Sequence, residues 1–330
     1  MMVYVCGGNH IQLLQTGGEP IPGEDGPPCE RACDTYFSKE DFCPIMALIL
    51  VRYAEVGLKS RAVRRRFEAI LIENMMGLLA HRGVEALVRR DNGRIFVEAE
   101  DAVRAADAVL HVFGVASVSE VISCGSGMEE MREVVAGYSR SVLADKSTFK
   151  IRARRSGQHA YTSMDAQASI GEAVLWANED RGITVDVHDP HKEIFVEIRD
   201  AVAYIFSDYQ PGPGGLPMGS QGRVLVVLED EKDAVAAWLI MKRGCKAIAV
   251  GKEGSTAVDV LRLWDPLMKC IPAHELGPAL QKHKASAVVY GYGVQDIALM
   301  RSLHLPVPAF YPIVGMDGEE IAKRLASIKK

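Results

Sequence analysis

After Gly222 the chain alternates between short apolar runs and amphipathic stretches without interruption, and no other feature constrains the fold as tightly. Residues 223–228, 247–250, 268–271, 287–290 and 307–311 have strand length and an apolar, largely β-branched or aromatic character. Residues 232–242, 258–263, 276–283, 294–302 and 318–327 carry helical spacing between and after them. Strands separated by helices are joined by crossovers, so the pattern predicts a doubly wound parallel sheet over 223–330.

The preceding residues follow a different rhythm. Residues 46–110 read as β-α-β-β-α, with a strand over 47–53 and a helix over 61–81 whose Val63, Phe67, Ile70, Leu71, Met75, Leu78 and Leu79 recur at three- and four-residue steps. Strands over 84–88 and 95–97 flank the hairpin signal Asp91-Asn92-Gly93, and a helix over 102–112 follows. Residues 111–207 form a second α+β unit: a helix over 127–143, a strand over 148–154, a helix over 166–177, and strands over 185–187 and 194–198 joined through the turn Asp189-Pro190. Residues 208–222 are too dense in Pro and Gly for a helix or a sheet interior and read as a linker. Residues 1–45, rich in Gly, Pro and acidic side chains, read as a disordered or non-native extension. The whole is an α/β and α+β multidomain chain.

Charge and cysteine usage narrow the function classes. A chain of 330 residues that is 48% hydrophobic can bury two or three cores, and a net charge of -5 excludes a globally basic nucleic-acid binder while leaving room for local basic faces. No apolar run reaches the roughly 18 residues of a membrane span and no secretory pattern opens the chain, so a cytoplasmic protein without membrane contact is expected. The seven cysteines include no CxxC pair; Cys6, Cys29, Cys33 and Cys43 lack metal-ligand spacing, and no metal site is expected.

Two basic constellations suit RNA. Lys150, Arg152 and Arg154 alternate along one strand and share a face, a row that can track phosphates. Lys59, Arg61, Arg64, Arg65 and Arg66 crowd a helix start, where cations oppose the helix dipole, so helix stability does not explain them. A solvated face neutralised by Glu and Asp is the alternative for both. The first strand of the α/β region ends in Leu228-Glu229-Asp230-Glu231-Lys232-Asp233, where a nucleotide loop would lie. It has no glycine and sets four carboxylates against one lysine; a misplaced charge about 4 Å from phosphate costs roughly 4 kcal/mol at a surface-like dielectric of about 20. Acidic residues starting a helix satisfy its dipole, which is a sufficient reason for them. Val187-His188-Asp189-Pro190-His191 is ordinary turn chemistry, and Cys270 ends an apolar strand as a packing residue.

The run Arg52-Tyr53-Ala54-Glu55-Val56-Gly57-Leu58-Lys59-Ser60 resembles the opening motif of the tRNA 4-thiouridine synthetases, the tRNA uracil 4-sulfurtransferases implicated in thiamine biosynthesis. Val112-Phe113-Gly114-Val115-Ala116-Ser117 resembles the start of their THUMP domain, and Pro213-Gly214-Gly215-Leu216-Pro217-Met218-Gly219-Ser220-Gln221-Gly222 their linker into the catalytic domain. Val235-Ala236-Ala237-Trp238-Leu239 and Met241-Lys242-Arg243-Gly244 are similar to the helix after their ATP loop. Tyr311-Pro312-Ile313-Val314-Gly315-Met316-Asp317 is similar to a late motif of theirs.

The resemblance covers 46–330 and implies a ferredoxin-like domain, a THUMP domain, both binding tRNA, and a doubly wound adenine-nucleotide-hydrolase-like domain that adenylates uridine before sulfur arrives from a cysteine persulfide. It also suggests a homodimer. The family's Ser-Gly-Gly-x-Asp-Ser loop aligns on Leu228–Asp233, where every phosphate-cradling position is changed. Val227 and Gly291 are candidates for a residual nucleotide pocket, and Met300 stands where the family has a glutamine. Cys270 lies in no matching motif, so no catalytic residue is assigned. The expectation is a tRNA- or structured-RNA-binding THUMP protein with a degenerate PP-loop and no cofactor. The first alternative is an active ATP-dependent sulfurtransferase whose acidic loop holds Mg²⁺ and presents ATP. The second is a protein-interaction module that no longer binds RNA.

Overall fold

A computed structural model of the chain describes residues 2–7, 10–15, 47–53, 55–91 and 93–330. They divide into two compact units, one built on 51–118 and 211–330 with the first strands, the other on 119–210 with the segment up to Leu50.

The first unit opens with β1 (Met2–Gly7), β2 (His10–Gln15), the second half of β3 (Ala47–Tyr53), α1 (Arg61–His81), β4 (Ala86–Asp91), β5 (Arg94–Ala99) and α2 (Ala102–Leu110). Its strands lie in the order β2-β1-β4-β5-β3, and β1, β2, β4 and β5 pair antiparallel. The α1 stripe buries Phe67, Leu71, Met75, Leu78 and Leu79, as helical spacing demands, whereas Val63 is exposed in the first turn, ahead of the buried stripe. Asp101 caps α2 by accepting from the Arg104 amide at 2.9 Å. Loop or disorder throughout residues 1–45 was the expectation, and β1 and β2 correct it at two places. Val3, Tyr4 and Val5 are strong strand formers, and Gly7 and His10 close a hairpin whose first strand pairs with β4. The rest of 1–45 lies outside the described residues.

The second unit contains β6 (Val115–Gly125), α3 (Met128–Val142), β7 (Thr148–Ser156), α4 (Ser163–Ala177), β8 (Thr184–Val185), β9 (Lys192–Arg199) and β10 (Val202–Phe206). Its strand order is β6-β10-β9-β7-β8. Met131 and Val135 of α3 and Ile170 and Val174 of α4 pack on Phe149, Ile151, Ile194, Val196 and Ile198 from one sheet face. The Thr162 hydroxyl accepts from the Asp165 amide at 3.1 Å and the Asp165 carboxylate from the Thr162 amide at 2.8 Å, which fixes the start of α4. The hairpin expected around Asp189-Pro190 does not form. β8 and β9 both run parallel to β7, on either side of it, and the Asp186 carboxylate turns the chain between them by accepting from the His188 and Asp189 amides.

Returning to the first unit, β11 (Gln210–Pro211) leads into a segment that is docked along its length. Gly214 exchanges backbone bonds with Gly114 and Val115 (2.8 and 2.7 Å), and Leu216 and Gly219 donate to Lys242 and Gly244 (both 2.9 Å). Gly215 has φ +79°, and a Cβ there would strike the Lys242 carbonyl, so glycine is required.

The remaining elements are β12 (Arg223–Leu228), α5 (Glu231–Lys242), β13 (Lys246–Gly251), α6 (Thr256–Arg262), β14 (Cys270–Ile271), α7 (Leu276–Lys282), β15 (Val288–Val289), α8 (Ile297–Ser302), β16 (Ala309–Phe310) and α9 (Gly318–Ile328). All five strands are parallel in the order β14-β13-β12-β15-β16. The order reverses between β12 and β15, which creates a switch point beyond their C-terminal ends. Phe113, Trp238 and Trp264 form an aromatic cluster with ring centroids 5.1 to 5.4 Å apart, within the core that also holds α5 and α6.

Candidate nucleic-acid interface and nucleotide crevice

The start of α1 builds a basic cleft. Ser60 precedes the helix without a side-chain cap, and no acid sits in the first turn. The Arg64 guanidinium turns back onto the Gly57 and Lys59 carbonyls and ties down the preceding 3-10 turn. Lys59, Arg61, Arg65 and Arg66 remain exposed. A cleft of about 500 Å³ is lined by Arg61, Arg64, Arg65, Arg90, Glu68, Asp91 and Gly93, four guanidiniums against two carboxylates. Buried Glu68 is held by Arg90 at 2.9 Å and by the Tyr53 hydroxyl. Burial and Glu68 push the Tyr53 phenol up, so it remains a donor. Sequence reasoning named Tyr53 only within the opening motif and did not single out Glu68 or Arg90; only the fold brings strand residues 53 and 90 beside the helix.

On β7, Phe149, Ile151 and Ala153 are buried and Lys150, Arg152 and Arg154 share the other face, as strand periodicity requires. Their charges are not equivalent. Arg152 is paired with Glu193 at 2.6 Å and lies over the Phe195 ring at 5.9 Å. Lys150 donates to the Val187 carbonyl at 2.7 Å. Arg154 is exposed with no ion-pair partner among the described residues, beside exposed Arg155. Neutralisation by a carboxylate thus applies to Arg152 alone of this row.

At the switch point of the parallel sheet the loop amides find their acceptor within the chain. Glu229 and Asp230 link β12 to α5 directly at the switch point. Their amides, the groups that would face a phosphate, both donate to the Asp233 carboxylate at 2.8 Å. Asp233 is 6% exposed, and burial raises its pKa above the usual carboxylate range despite those two bonds. Gly291, two residues past β15, lies so near that a Cβ would collide with this carboxylate; Val227 is half-buried against the opposite core. Tyr290, Tyr292 and Tyr311 stack at the ends of β15 and β16, with centroids 4.9 to 6.2 Å apart, a cluster that sequence reasoning did not single out. The described thiols are unprimed: burial pushes Cys124 up to about 11, and Cys245 and Cys270 also rise.

Family models of a ThiI ferredoxin-like domain and a THUMP domain match residues 48–119 and 126–208. A probable tRNA sulfurtransferase of Methanosarcina acetivorans is 32% identical over 326 residues, 83% of this chain and 79% of that protein. The chain belongs to the tRNA sulfurtransferase family. Another family protein, from Methanosarcina mazei, is 39% identical over 207 residues, and the chain spans about half of it (51%). A solved Pyrococcus horikoshii protein is 28% identical with a TM-score of 0.73, covering 86% of this chain and all of its own. A 4-thiouridine synthetase solved in complex with RNA and bound ATP shares the fold (TM-score 0.70, 21% identity, 86% of this chain and 85% of that one). For a tRNA sulfurtransferase family member, ATP is the implied ligand of the switch point. The residues here do not fit it: the two amides are occupied by Asp233, and the flanking side chains Glu229, Asp230 and Glu231 repel phosphate.

Proposed function

We propose that this family member binds tRNA or another structured RNA and has no ATP-pyrophosphatase activity of its own. The observation that carries the reading is the Asp233 carboxylate on the Glu229 and Asp230 amides. An internal anion already takes the place of phosphate, and expelling it would leave a buried charge without donors. The high thiol pKa values of Cys124, Cys245 and Cys270 agree with a chain that carries no persulfide nucleophile among these residues. RNA is the partner favoured by the α1 cleft, where guanidiniums outnumber carboxylates, and by exposed Arg154 and Arg155, which have no carboxylate partner among the described residues.

Filter binding of unmodified tRNA across a salt series tests the RNA half of the proposal. Affinity should fall linearly on a log–log plot, with a slope of about -0.7 to -0.9 per phosphate contacted. Retention that ignores salt, or no retention at low salt, would favour a protein-interaction module instead.

A further inference from the structure

We infer that the N-terminal edge of the five-stranded parallel sheet is a further RNA surface, on which Arg223, Lys269 and Lys282 hold successive phosphates of one strand. This rests on the reading that the chain binds RNA, and it gives the α/β region a contact separate from the α1 cleft and the β7 row. That edge lies at the opposite end of the strands from the switch point, so the state of the crevice does not enter into it.

The sheet gathers its cations at one end. The segments leading into β13, β14, β15 and β16 carry Arg243, Lys246, Lys269 and Lys284 against a single carboxylate, Asp265, which Lys246 occupies at 2.7 Å. The segments leaving β12, β13 and β14 carry Glu229, Asp230, Glu253 and Glu275 against Lys252. Register sets the basic residues side by side. Arg223 starts β12 opposite Lys246 of β13, and the Lys269 carbonyl accepts from the Ala249 amide of β13 at 2.9 Å. The Arg223 carbonyl accepts from the Ser286 amide ahead of β15 at 2.9 Å, just after α7 ends in Lys282 and His283. Neighbouring strands lie about 4.8 Å apart, so the row from β14 to β15 extends roughly 15 Å, the reach of several phosphates.

Arg223, Lys269 and Lys282 are exposed, and none has an ion-pair partner among the described residues. Burial holds the half-buried His283 imidazole below its usual pKa, and Lys269, Lys282 and Arg223 lower it further against the pull of Glu275, so these charges converge on one place. A lysine at a helix C-terminus gains from the dipole, which is reason enough for Lys282 alone; Arg223 and Lys269 stand at strand starts and gain nothing from it. Like charges left together repel, and a polyanion that covers them relieves the repulsion and releases its own counterions. A phosphodiester backbone carries a charge at every residue and matches a row of this length without a pocket, whereas a peptide would need an acid at each step.

Filter binding of unmodified tRNA by the full chain, as wild type and with Arg223→Gln, Lys269→Gln and Lys282→Gln combined, tests this. The affinity of the variant should fall about tenfold at ~0.15 M salt, and its log–log salt slope should shrink by about 2, with the urea midpoint unchanged as the control for folding. In the wild type, bound tRNA should raise the His283 pKa read from its imidazole proton resonances, because phosphate offsets Lys269, Lys282 and Arg223. Affinity and slope unchanged in the variant while the wild type retains tRNA, or a His283 titration that bound tRNA leaves in place, overturns the surface assignment and spares the RNA reading. Binding of a polyglutamate peptide that the variant loses while keeping tRNA assigns the row to an acidic protein and overturns it too. A wild type that retains no tRNA at low salt overturns the RNA reading, and this surface with it.

Discussion

The N-terminus of α1 and the N-terminus of α5 use the same backbone device with opposite charge. At α1, Lys59, Arg61, Arg65 and Arg66 crowd the positive end of the dipole, no acid occupies the first turn, and Ser60 gives no cap. At α5, Glu231 and Asp233 occupy the first turn and Asp233 bonds two loop amides. The second arrangement satisfies itself, since carboxylates near a helix N-terminus gain about 0.3–1 kcal/mol each and need no ligand. The first is unfavourable alone and becomes favourable when an anion arrives. A helix start is therefore a poor predictor of anion binding until its own side chains have been placed.

The closed side of this comparison breaks most sharply at Gly291. Gly291→Ala drives a methyl into the Asp233 carboxylate and should destabilise the protein by about 3 kcal/mol, read as a lowered urea midpoint with unchanged m-value. Unchanged stability would mean that Asp233 does not fill the crevice in solution. The open side breaks with Lys59→Ala, Arg61→Ala and Arg65→Ala combined. tRNA affinity should fall about 30-fold at ~0.15 M salt, and the salt slope should shrink by about 2 to 3.

Asp233 sharpens the comparison through pH. Its folded pKa is raised by burial above that of the unfolded chain. The folded state therefore holds its proton more tightly. The resulting stability is fully present below the ordinary carboxylate range and lost as pH rises through the raised folded value. In Asp233→Asn this component disappears, so the stability difference between wild type and variant should shift in favour of wild type on acidification from neutral pH. A pH-independent difference in urea unfolding would contradict the buried-carboxylate assignment. The smallest effect belongs to β7. Arg154→Ala should weaken tRNA binding about threefold, whereas Arg152→Ala, already paired with Glu193, should change it less than twofold.

Much of this was legible in the sequence, and the losses have physical causes. The parallel α/β region, the α1 stripe and the one-sided β7 row follow from periodicity, which local sequence records directly. The pairing of β8 and β9 was misread because Asp189-Pro190 has turn chemistry, whereas strand partners are chosen by long-range packing on β7. The strands of β1 and β2 were obscured by the Gly- and Pro-rich residues that follow them. The acidic loop was visible as a departure from a phosphate loop, yet that Asp233 folds back onto the Glu229 and Asp230 amides depends on side-chain geometry that spacing does not encode. The neutralisation of Arg152 by Glu193 required the β7–β9 register, Arg152 opposite Phe195 and Lys150 opposite Glu193.

Pyrophosphate release from ATP by the full chain, with and without unmodified tRNA, tests the account most directly. The closed crevice predicts no release above background in either case while tRNA is still retained on filters. Release stimulated by tRNA would contradict it, because the Glu229 and Asp230 amides would then have to leave Asp233 and hold phosphate.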